Sequence, residues 1–206
     1  MAAYAGEIAW ADHQVGRLLD ALPADATIVV AADHGESLTE HGYLLNHGVM
    51  LYQPSLHVPL IVAGPGIEAA VSDAPVTLQQ VAPTLRSLAG LPPGGETLMD
   101  APPEVVTAFS TPRHARRALS KQNAWLVSWR RGDEKWIVGS DGGIERYDLA
   151  ADPDERTDTA PNHPALEEAR ARGEAMIARV KAADGQADTD PDKGTIEALE
   201  ALGYVE

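Results

Sequence analysis

The chain has 206 residues, a formal net charge of −15 and no cysteine, with 44% hydrophobic and 23% charged residues. That balance belongs to a globular chain long enough for one sizeable core or for parts of two, and it excludes global disorder. The acidity argues against a binder of nucleic acid or anionic membrane, and the lack of cysteine removes any disulfide framework or thiolate nucleophile while leaving the compartment open.

From Ala3 to Leu22, the residues Ile8, Ala11, Val15, Leu18, Leu19 and Leu22 recur at helical spacing, which predicts a helix packed on a sheet. Pro23-Ala24-Asp25 interrupts it. Ala26 to Ala32 is apolar without alternation, as expected of a parallel strand covered on both faces. A second buried strand is predicted over Val58 to Ala63, stopped by Gly64-Pro65-Gly66, and a helix over Leu78 to Leu88 that Pro83 should kink or shorten. The Pro/Gly-rich break at Leu91 to Gly95 divides the chain into an α/β segment, 1–95, and a second region, 96–206. In the latter, Arg117 to Ser120, Trp125 to Trp129, Lys135 to Val138 and Ile144 to Tyr147 read as strands of a small antiparallel sheet, with turns at Arg131-Gly132-Asp133 and Asp141-Gly142-Gly143. Ala165 to Ala182 reads as an amphipathic helix, Asp184 to Asp192 as an acidic linker and Ile196 to Leu202 as a short terminal helix. No apolar run approaches the roughly 20 residues of a membrane span, and the first residues lack the basic flank and apolar core of a secretory signal.

The chemistry-bearing feature is Asp33-His34-Gly35, set just after the first apolar run. Open α/β sheets bind ligands at the carboxyl ends of their strands. A carboxylate and an imidazole there can ligate a divalent cation, and they can equally cap a turn and pack against a sheet edge. Gly35 reads as a backbone requirement.

Several stretches in the same order resemble the C-terminal half of the sulfatases of the alkaline phosphatase superfamily. YAGEIAWADHQVGRLLDAL is similar to the helix before the metal strand, TIVVAADHGESLTEHG to the metal strand and its loop, and LYQPSLHVPLIVAGPGI to the stretch that follows. IERYDLAADPDE resembles a recurring "ELYDLxxDPxE", and IEALEALGYVE a frequent "LxxLGY" ending. The resemblance implies an α/β fold, the C-terminal part of a sandwich with a mixed sheet flanked by helices, followed by the small antiparallel subdomain and C-terminal helix. It implies that Asp33 and His34 ligate a metal, with Ca2+ favoured and Mg2+ or Mn2+ as alternatives. It also implies that His47, in Asn46-His47-Gly48, contacts the sulfate of a sulfated small molecule or glycan. Glu36 and His41 read as solvated loop residues, and His13 and His57 as structural.

In the family a formylglycine, made from Cys or Ser in a C/S-x-P-x-R motif, is the nucleophile, and a pair of aspartates completes the metal shell. Neither stands in this sequence. Ser110-Thr111-Pro112-Arg113 imitates the motif, but His114 stands where Arg is needed, and the chain order is wrong. The expectation is therefore a truncated gene product, a fragment or one piece of a split sulfuric ester hydrolase, inactive alone, with an N-terminal segment as a candidate partner. A phosphomonoesterase or phosphodiesterase of the same superfamily and a non-catalytic binding remnant are the alternatives. Asp188, Asp190 and Asp192 followed by Gly194 and Glu200 mimic an EF-hand, but Lys193 displaces both the Gly and the Glu by one position.

Overall fold

The computed structural model describes residues 2–45, 47, 50–100, 104–109 and 125–184. Arg117 to Ser120, the Ser110 motif, the acidic linker after Asp184, the EF-hand mimic and the terminal helix lie outside these residues, and Asp184 itself ends a helix. The described residues form two compact units: those within Met1–Asp33 and Val58–Asp73, and those within His34–His57 and Ala74–Glu206.

The first unit holds helix α1 (Ala2–Asp20) and strands β1 (Ile28–Ala31) and β2 (Leu60–Ala63). The strands pair antiparallel, with Ile28 opposite Ala63 and Ala31 opposite Leu60. This corrects the parallel expectation: an apolar run without alternation reports apolar side chains on both faces, not the direction of its neighbour. Gly64 closes the ladder at φ +151°, where a Cβ would stand 2.9 Å from Thr27 Cα. The expected burial is also corrected. Ile61 of β2 is 57% exposed, and no residue of α1 is buried, with Trp10 at 68% exposure. The helix forms as its spacing predicts, but a two-stranded ladder offers too little apolar surface to cover it.

The second unit is built on an antiparallel sheet in the order β3 (Val105–Phe109), β4 (Leu126–Arg131), β5 (Glu134–Gly139) and β6 (Ile144–Asp148). Gly132, at φ +57°, makes the tight β4–β5 turn, and Gly142, at φ +88°, serves the β5–β6 turn. Both faces of the sheet are covered. Val127, Trp129, Trp136 and Val138 point to Ala169 and Ile177 of helix α4 (Leu166–Asp184). Gly173 lets α4 approach closely, since a Cβ there would meet Val138 at 2.5 Å. Leu126, Ile137, Tyr147 and Leu149 pack instead against Leu51, Tyr52 and Leu56, around the short helix α2 (Gln53–Leu56). Glu104, just before β3, is clamped by Arg172 of α4 and Arg131 of β4, and the Arg172 hydrogen bond holds its carboxyl below the usual range.

Helix α3 spans Val81–Leu88 after a 3-10 turn at Leu78–Gln80. Thr77 caps that turn: its hydroxyl accepts from Gln79 N at 3.2 Å, and Gln80 Oε1 accepts from Thr77 N at 2.8 Å. Pro83 shortens the α-helix as expected, standing in its first turn, where a missing N–H leaves no bond unmade. Among the described residues no helix is long and apolar enough to cross a membrane.

Candidate metal and substrate site

β1 ends at Ala31, and Asp33 and His34 follow as exposed residues. The next residue must be glycine. Gly35 N donates to Ser55 O at 2.9 Å, and a Cβ on Gly35 would lie 2.0 Å from Pro54 O. The constraint is a close approach of α2, not a left-handed backbone.

His34 Nδ1 lies 3.0 Å from Gly35 O. A carbonyl only accepts, so in this contact Nδ1 carries a proton and the backbone fixes the ring's orientation. The His34 ring stacks on that of His47, with centroids 4.7 Å apart and planes inclined by 7°. His47 Nδ1 is 3.8 Å from Glu36 Oε1, an ion pair whenever His47 is protonated. Three side chains that the sequence supplies from separate positions, His34, Glu36 and His47, thus gather in one place. Asn46 and Gly48 lie outside the described residues.

The loop between them is tied by its own polar groups. Ser37 is fully buried, its Oγ 2.9 Å from Glu40 O and 3.0 Å from Tyr43 O. The Glu40 carboxylate accepts from Leu38 N at 2.7 Å and Thr39 N at 3.0 Å, and backbone donors, Thr39 first, hold its pKa down at about 2. His41 is no solvated residue: its ring stacks on Tyr52 at 3.6 Å, and its Nε2 is buried without a hydrogen-bond partner. Its φ of +53° is tolerated beside Gly42. Glu36 is likewise engaged, with His47. The stacking partner of His41 lies 11 positions away, at Tyr52, so no local pattern exposed it. Tyr52 is held in turn, since its hydroxyl and that of Tyr147 donate to Glu145 Oε2 at 2.8 and 2.9 Å.

A groove of about 840 Å³ runs between His41, Gln53, His57, Tyr147, Asp154 and Arg156. Asp33, His34 and His47 do not line it. Among the described residues no group of three or more His, Asp or Glu side chains is arranged to hold a metal ion, the His34, Glu36 and His47 cluster included. Hard divalent cations take about six or more ligands; Asp33 and His34 fit such a cation as donor types, and two donors are fewer than such a shell takes.

An α/β segment followed by an antiparallel sheet backed by a helix matches the fold of sulfatases of known structure. Residues 1–91 match the sulfatase family profile. The chain is 31% identical over 170 residues to a choline-sulfatase of Rhizobium meliloti (strain 1021), a match covering 78% of this chain and 33% of that protein. The chain therefore spans about a third of the length of that relative. Among solved structures it is similar to a putative sulfatase from Bacteroides thetaiotaomicron VPI-5482, at a TM-score of 0.57 and 26% identity over 81% of this chain and 39% of that one. A phosphonate monoester hydrolase of Agrobacterium radiobacter aligns at a TM-score of 0.60 and 25% identity, over 86% of this chain and 40% of the other.

Proposed function

We propose that this chain supplies part of the metal and sulfate site of a metal-dependent sulfuric ester hydrolase that acts on a sulfated small molecule or glycan. The observation that carries the reading is the stack of His34 on His47, which sets the expected metal ligand beside the expected substrate contact. Asp33 and His34 hold the cation, Ca2+ in preference to Mg2+ or Mn2+, through carboxylate oxygen and imidazole Nε2. When bound, that cation supplies Lewis acidity to a sulfate oxygen. His47, protonated, binds and orients the sulfuryl group and holds a proton for the leaving oxygen. Glu36 keeps the His47 ring in place. No residue of this sequence matches the formylglycine motif or the remaining aspartates, so the reading assigns those to a further sulfatase segment and expects the chain alone to be inactive.

Turnover of 4-nitrophenyl sulfate by this chain in CaCl2 tests that expectation: the reading predicts none, and measurable hydrolysis contradicts it. The phosphonate hydrolase among the similar structures supports a second reading, a phosphorus ester as substrate. Titration of the His47 ring resonances with sodium sulfate and with methylphosphonate separates them: a larger saturable shift with sulfate supports the sulfatase reading, and the reverse order supports the second.

A further inference from the structure

Lys135 of β5 and Glu155, after β6, form a buried ion pair on the sheet face turned toward α2. Their side chains are 2% and 0% exposed, with Lys135 Nζ 2.5 Å from Glu155 Oε1. Lys135 Nζ also stands 3.4 Å from Gln53 Oε1. The second carboxylate oxygen accepts from Gln53 N at 2.5 Å. That N–H opens α2, where no intrahelical acceptor exists.

Stability alone is a weak reason for this arrangement. A buried ion pair is often no better than apolar residues of the same volume. Burial pushes the Lys135 ammonium pKa down from its ordinary value, against the opposing charge of Glu155. Glu155 also holds φ at +55°, an unfavourable backbone region for a residue with a Cβ. The preceding turn enforces this: Asp152 accepts from Arg156 N at 3.0 Å and Thr157 N at 2.8 Å, and Glu155 N donates to Asp152 O at 3.1 Å. Within Asp152-Pro153-Asp154-Glu155, the first residue builds the turn and the last aims a carboxylate at α2.

The other end of α2 touches the candidate site. Ser55 O accepts from Gly35 N, and Pro54 O fills the space that a Gly35 Cβ would need. A continuous path thus runs from Lys135 and Glu155 through Gln53 and Ser55 to the peptide that carries His34. We infer that Glu155, charge-balanced by Lys135, is a positioning residue: it fixes α2 and, through it, the backbone that aims the His34 imidazole. The inference rests on the proposed metal-ligand role of His34 for its functional meaning, and on the geometry alone for the coupling.

Residue-resolved hydrogen exchange on the full chain tests it. In Glu155→Ala, Gly35 N–H should exchange about tenfold faster, while Val127 and Val138 in the β4–β5 ladder stay within about twofold. Glu155→Gln keeps an oxygen for Gln53 N and should restore Gly35 protection to within about threefold of the parent. Gln53→Pro removes the N–H donor together with the side-chain oxygen 3.4 Å from Lys135 Nζ, at a first helical position that accepts proline and after an extended Tyr52, and should release Gly35 while the Lys135–Glu155 pair itself remains. It serves where Glu155→Ala does not fold. Unchanged Gly35 exchange in both Glu155→Ala and Gln53→Pro overturns the inference, as does equal acceleration of Gly35, Val127 and Val138. A CaCl2 titration of the parent chain is the separate readout: no calcium response with Gly35 still released removes the metal role and leaves the coupling standing.

Discussion

The imidazoles of His34 and His47 lie nearly parallel, 4.7 Å between centroids, although 13 positions separate them in sequence. One face of His47 is thus committed to His34, and its Nδ1 edge to Glu36. His47→Ala should weaken binding of inorganic sulfate about tenfold, the loss of roughly 1.4 kcal/mol. Calcium affinity should change by less than about twofold, because His47 is not assigned as a ligand. Isothermal titration with each ion checks this; equal loss of both shows that His47 instead props the metal pair.

Gly35→Ala places a methyl group 2.0 Å from Pro54 O, a contact that only backbone movement can relieve. The expected loss is about 1–3 kcal/mol, the range for overpacking a fitted site. Urea denaturation gives the value, and hydrogen exchange at Ser55 and Gly35 shows where the chain yields. A change below about 0.5 kcal/mol would place α2 further from Gly35 than described.

Glu40 is a carboxylate whose folded pKa, about 2, lies below its ordinary 4.5. A depressed carboxylate contributes stability that is present above pH 4.5 and is lost as pH falls through about 2. The group is largely solvated, so the effect is local. A carbon-detected NMR titration should give the Glu40 carboxyl a midpoint near 2, and in Glu40→Gln the Leu38 and Thr39 amides should lose protection; a midpoint near 4.5 contradicts the loop geometry.

Tyr52 and Tyr147 respond at the other end of the pH scale. Burial, with the charge of Glu145 second, pushes both phenols far above their ordinary 10.0. A raised folded pKa means stability that is full below pH 10 and declines as pH rises beyond it. The urea midpoint should therefore fall between about pH 9 and about pH 11. An ultraviolet absorbance titration should show these two tyrosines resisting ionisation where exposed ones respond. Ionisation of every tyrosine near pH 10 would break the assignment of the Glu145 network.

The second unit was largely legible in the sequence. Trp129 and Trp136 fall opposite each other because alternation and the Gly132 turn fix the register, and Pro83 marks where α3 begins. β3 was not legible: Val105 to Phe109 is a short run with no turn signal fixing its partner. The direction of β1 against β2 was hidden for the reason that apolar content is silent on strand polarity. Of the site, Asp33, His34 and His47 were named from sequence, whereas the His41–Tyr52 stack and the Glu155–Gln53 bond join residues 11 and 102 positions apart and leave no periodic trace. The burial of Lys135 was hidden for another reason. On a strand it reads as a solvated charge, and only the segment folded over that face reveals it as buried.

The central claim is that Asp33 and His34 form one part of a divalent-cation site. Following the His34 ring and Gly35 amide resonances during CaCl2 titration tests it most directly. A site of only two protein donors should bind weakly, at about millimolar. The account predicts a saturable shift at both residues that disappears in Asp33→Ala. The absence of any calcium response at His34, or an undiminished response in Asp33→Ala, would contradict it.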